Sequence, residues 1–186
     1  MLKRFTKRIM GGMALLFTIS LVLLPVAGAH VFDGKHPQSG LKPLDENRLL
    51  QVSPGDRCPV CGMTVIQYPK FNCAIQLKNG TTYYFCTTGC MIRSWMHPEI
   101  YLGTTKDRLE RPIVREYFSG RQIDARDAIF VYGSDVIGPM GPALVPVLDE
   151  RHLEVFKKRH GGKTQVLLKD LNDDKWYEMT GKKIAE

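Results

Sequence analysis

From Ile9 to Val26 the chain is almost continuously apolar; beyond it, apolar positions recur only in short stretches separated by Gly, Pro and Asn. Residues 30–56 are polar, proline-marked and without a sustained period, which predicts a flexible tether with a short helix near Leu44–Val52. Phe71–Leu77 alternates in part and reads as a strand, Lys78-Asn79-Gly80 as a hairpin turn, and Thr81–Phe85 as the returning strand. Thr87–His97 reads as a helix stopped by Pro98. The charged stretch from Thr104 to Ala125 holds one expected strand near Val114–Phe118. Ala128–Tyr132 and Ala143–Leu148 are expected strands. Asp149 caps a helix running to about His160, Gly161-Gly162 ends it, and Thr164–Leu168 is a final strand. The order strand–strand–helix–strand thus occurs twice, over residues 57–125 and 126–186. That predicts an α+β fold of two small ββαβ-like units with antiparallel sheets.

The apolar start is set aside before charge is weighed. Lys3, Arg4, Lys7 and Arg8 precede it and Ala27-Gly28-Ala29 closes it, the layout of a secretory signal peptide over residues 1–29 cleaved before His30. An uncleaved anchor is the alternative, although a bilayer core takes roughly 20 residues. In either case the chain is expected outside the cytoplasm, in the periplasm, touching a membrane only through this segment. The formal charge of +7 falls to +3 without the four leading cations, leaving 22 basic against 19 acidic residues. No basic stripe interleaved with aromatics is present, so nucleic acid is not an expected partner.

Five cysteines are an odd number for a disulfide framework in an exported chain. Four form two close pairs, Cys58-x2-Cys61 and Cys86-x3-Cys90, one in a loop before the hairpin and one at a helix start. Such pairs assemble thiolate metal sites, and a helix N-terminus favours the thiolate. A disulfide or a redox dithiol is the competing use. Cys73 alternates with apolar positions and is expected to be buried and inert. Met63, two residues past Cys61, and Met140, bracketed by Gly138 and Gly141 in a Gly/Pro-rich loop, offer thioethers that suit copper(I). His160 offers an imidazole or simply a favourable charge at a helix C-terminus. His30, once exposed by cleavage, would add an amine and an imidazole. No phosphate loop, nucleophile elbow or HExxH motif is present, and no carboxylate pair stands out as acid and base, so no enzyme is expected.

Cys61-Gly62-Met63, the stretch from Val131 to Pro146 with its Gly-Pro-Met140-Gly-Pro core, and Phe156-Lys-Lys-Arg-His160-Gly-Gly162 resemble, in order and spacing, the NosL family of nitrous-oxide-reductase accessory proteins. The resemblance implies a periplasmic copper(I) chaperone with two ββαβ-like domains. It would serve a cuproenzyme client, nitrous oxide reductase or a related enzyme, and its membrane assembly machinery. Carried over, Cys61 is the thiolate ligand, Met140 and Met63 are thioethers, and His160 is a further ligand. Cys58, Cys86 and Cys90 are additional to the single-cysteine pattern. Together with Cys61 they resemble small cysteine-rich modules of the TRASH and YHS type, which keeps zinc in play. The motif then divides, with Cys61 and Met63 grouped with Met140, and Cys58 grouped with Cys86 and Cys90. Three readings compete: a copper carrier, a zinc-stabilised interaction module, and a thiol–disulfide oxidoreductase acting on metal-site cysteines.

Overall fold

The computed structural model describes residues 42–184. The signal segment, His30 and most of the expected tether lie outside them. Residues 44–52 form no helix. Asp45 accepts the Leu49 amide through its side chain at 2.7 Å, and Arg48 takes φ 60°. A short polar side chain that bonds nearby backbone competes with the helical ladder, and here it wins.

Strand β1 (Cys73–Leu77) turns through Asn79-Gly80 into β2 (Thr82–Phe85). Gly80 has φ 85°, and the Asn79 side chain accepts the Thr81 amide at 3.1 Å, so both turn residues act as their chemistry suggests. Helices α1 (Thr88–Met96) and α2 (Pro98–Tyr101) follow, with Pro98 opening the second because it cannot extend the first. Strand β3 spans Leu109–Arg115, earlier than the expected Val114–Phe118. Buried Glu116 ends it, accepting the Phe118 and Ser119 amides and the Ser119 hydroxyl in a tight turn to β4 (Gln122–Asp124). The antiparallel sheet runs β2-β1-β3-β4.

The second half repeats this path. Strand β5 (Ile129–Ser134) is followed by the small hairpin β6 (Ile137–Gly138) and β7 (Gly141–Pro142), then β8 (Val145–Val147), α3 (Glu150–His160) and β9 (Gly161–Leu167). The antiparallel order is β8-β5-β9, so in both sheets the first strand is central and the second and third flank it. The fold is α+β with two ββαβ-like units. Helix α4 (Asp173–Thr180) closes the described chain.

Successive residues of β5 face opposite ways, as strand geometry dictates. Phe130 enters the larger core with β1, β3 and α1, whereas Val131 joins the core that Val145, Val147, Leu153 and Phe156 build under α3. Burying a side chain of this size stabilises by about 1.5–3 kcal/mol. One strand therefore ties two cores together. The larger core also takes in Cys58, Cys86 and Cys90, which places the sulfur chemistry against rigid sheet and helix.

A four-cysteine cluster and its surroundings

Cys58-Pro-Val-Cys61-Gly-Met63 folds as a tight knuckle. The Cys58 amide donates to the Met63 carbonyl at 2.9 Å and the Gly62 amide to the Cys58 carbonyl at 2.8 Å, with Gly62 at φ 75°. Glycine reaches that left-handed geometry without a Cβ penalty. Buried Asp56, two residues before the knuckle, accepts the Ser53 amide at 2.6 Å and the Lys42 ammonium at 2.9 Å through its side chain, and its carbonyl accepts the Val65 amide at 3.0 Å just past the knuckle. The other pair comes from the link between β2 and α1, with Cys86 just past the strand and Cys90 in the first helical turn.

The β1–β2 hairpin and the knuckle bring all four Sγ atoms within 4.8 Å of one another, the Cys61–Cys86 pair at 3.4 Å. A tetrahedral zinc–thiolate site with bonds of ~2.3 Å needs sulfurs about 3.8 Å apart. The cluster fits such an ion after sub-ångström adjustment. Its sulfur-only donor set suits a soft or borderline cation. Cys58, Cys86 and Cys90 are buried, and Cys61 is half-buried and reaches solvent. None of the five cysteines is in a disulfide.

The four thiols share protons unequally. Hydrogen bonds from Cys58 first, then from Cys86 and Cys90, hold the Cys61 thiol well below its usual range. Cys86 and Cys90 are pushed up, foremost by their bonds to Cys58 and then Cys61, and also by burial. The Cys58 thiol is lowered as well, its bond to Cys61 raising it but those from Cys86 and Cys90 lowering it further. Cys58 and Cys61 thus ionise ahead of Cys86 and Cys90, which keep their protons until a cation replaces them. Cys73 is fully buried, and burial pushes its thiol up, so it remains protonated outside the cluster.

The sequence division of this motif is not the arrangement found, because Cys61 lies with Cys58, Cys86 and Cys90 in one group. Met63 is half-buried against the larger core. Met140 sits in the turn of the β6–β7 hairpin, 50% exposed, and lines a cleft of about 130 Å³ that Cys90 also lines. His160 has both ring nitrogens engaged, Nδ1 with Asp135 at 2.9 Å and Nε2 with the Tyr117 hydroxyl at 3.1 Å, and its ring stacks near Phe156. Two supports of the site had no counterpart in the sequence reading. Asp56 carries no motif. Helix α4, which sets Trp176 against Gly89 of α1, was signalled by Asn172 at its cap and Gly181 after its end.

The α+β frame thus presents a clustered, partly accessible set of four sulfurs, a donor set of the kind soft metals take. The NosL family profile matches residues 49–176, and the chain belongs to that family. The copper-binding lipoprotein NosL of Stutzerimonas stutzeri is 31% identical over 111 residues, 58% of this chain and 58% of that protein, so the chain spans less than two-thirds of that relative. The crystal structure of the copper chaperone NosL from Shewanella denitrificans matches at a TM-score of 0.57 and 21% identity, covering 67% of this chain and 96% of that one. At that identity the likeness establishes the fold.

Proposed function

We propose that this chain is an exported copper(I) carrier that holds its cargo at Cys58, Cys61, Cys86 and Cys90. The observation that carries the reading is the convergence of four sulfurs within 4.8 Å in a NosL-family chain whose relative is named copper-binding. Thiolates select copper(I) over harder ions. Half-buried Cys61 leaves the ion open to an acceptor, whose donor atom bonds to copper as the Cys61–copper bond breaks, so the ion leaves by ligand exchange with no catalytic turnover. Met140, at the mouth of the cleft that reaches Cys90, offers a neutral thioether outside the cluster. His160 is a structural tie in this reading, since Asp135 and Tyr117 occupy it. The client is a cuproenzyme, nitrous oxide reductase or a related one, reached with its membrane assembly machinery in the periplasm. The basic and apolar N-terminal pattern supports export, as does the lipoprotein relative.

Titration of the reduced protein with copper(I) against a competing chelator tests this. One-to-one binding is expected, weakened more than about 100-fold by Cys61→Ser and only severalfold by Met140→Ala. Absence of competitive binding, or indifference to Cys61→Ser, sinks the proposal. The burial of three of the four thiols favours a second reading, a closed zinc site that holds the fold together. In that case stripping zinc from the protein unfolds it, and so does Cys86→Ser. A reversible Cys58–Cys61 disulfide of high reduction potential would instead favour thiol–disulfide exchange.

A further inference from the structure

Beside the cluster lies a wider cavity of about 530 Å³ between α1 and the C-terminal end of α4, lined by Arg93, Trp176, Tyr177, Gly181, Lys182 and Lys183. It shares Arg93, Trp176 and Lys182 with the cleft that reaches Cys90 and Met140, so the two make one groove. Among the described residues, no aspartate or glutamate lines either part. Among the described residues, Arg93 and Lys182 have no carboxylate partner.

A lysine beyond a helix C-terminus would be ordinary by itself. The walls of this groove hold something less ordinary. Trp176 is 8% exposed, and its indole Nε1 is buried without an acceptor. Arg93 is fixed by bonds to the Tyr101 hydroxyl at 2.8 Å and the Ile184 carbonyl at 2.7 Å, yet its Nε is also buried without one. Buried donors are nearly always paired in folded proteins. Two unpaired donors, in residues that line one cation-bearing groove with no carboxylate among its described lining residues, describe a receptor for an anionic acceptor group.

We propose that this groove docks an acidic segment of a partner protein, with carboxylates against Lys182 and Arg93 and a carboxylate or carbonyl oxygen taken by Trp176. Its cations are spread along a cavity much larger than a single small anion. Its far end opens at Cys90, so a chain lying in it would bring its own donor atoms beside the cluster. That use rests on the carrier reading; the docking does not.

The full chain, reduced and metal-free, is titrated by calorimetry with a capped pentaglutamate peptide and with its pentaglutamine counterpart. Binding of the acidic peptide alone is expected, lost with rising salt and weakened about tenfold by Lys182→Glu. Trp176→Phe is expected to weaken it as well, with the fold monitored by circular dichroism. Equal binding of pentaglutamine, or no change on Lys182→Glu, overturns the proposal. So does inorganic phosphate binding at the same place with the same affinity, or Lys182-dependent capture by phosphatidylglycerol vesicles in preference to the peptide. Because the test is made without metal, peptide binding in a protein that fails to take copper(I) leaves the docking standing and removes only its purpose. Copper binding without peptide binding removes the docking alone.

Discussion

In the first unit two residues, Cys86 and Thr87, join β2 to α1; in the second, Leu148 and Asp149 join β8 to α3. The connections have the same length and the same place in the topology, but different chemistry. Asp149 caps its helix, its carboxylate accepting the His152 amide at 2.9 Å. Thr87 makes no side-chain cap bond, and the position matching His152 is occupied by Cys90. The first helix has given up its cap to sulfur. Cys86 and Cys90 stand at that end in place of a capping carboxylate. The same topology carries an ordinary helix start in one half and a cluster of cysteines in the other.

The largest effect that should separate the halves is metal loading. At a free-ion level near 1,000 times Kd, a ligand that binds only the folded state adds about 4 kcal/mol. Local exchange protection should rise around 58–63 and 86–90 and along α1, while α3 exchanges as before. Hydrogen-exchange mass spectrometry with and without copper(I) reads this directly. Protection that rises equally in both halves would mean that the cradle is not a local device.

Much of this contrast is legible in the sequence, and the remainder is hidden for physical reasons. The Asn79-Gly80 turn, the Asp149 cap and the Pro98 stop are local signals, and the structure places each where the signal falls. The cysteine pairs are equally visible. Their union is not, because Cys61 meets Cys86 across 25 positions through the β1–β2 register and the knuckle, neither of which spacing encodes. Helix α4 escapes because its buried face is little more than Trp176 in an otherwise polar run, so periodicity is faint. The groove escapes entirely, since its cations come from α1 and from the chain after α4.

The halves also differ in how the helix returns to the sheet. From α1 the chain wanders through α2 to β3, whereas α3 passes straight into β9 at Gly161-Gly162. Gly162 has φ 136°, and a Cβ there would lie 2.5 Å from Val131 Cγ1. Gly162→Ala should therefore destabilise the protein by about 2–3 kcal/mol, from strain plus overpacking. Urea unfolding measures it, and copper(I) affinity should be unchanged in the surviving folded protein. A parallel loss of affinity would show that the second half tensions the cradle through β5.

The smallest effect isolates the cap itself. The Asp149 carboxylate is held below its ordinary range, first by the His152 amide and then by the His152 ring. A carboxylate that ionises at lower pH when folded contributes stability above its unfolded value of about 3.9 and loses it as pH falls through the folded one. Asp149→Ala should lower the melting midpoint by a few degrees at neutral pH, and the gap to wild type should close on acidification through that window. Thr87→Ala, with no cap bond to lose, should show no such pH dependence, whatever removing its buried side chain costs. If both variants behave alike, the first helix is capped after all, and the exchange of cap for sulfur is not what distinguishes the halves.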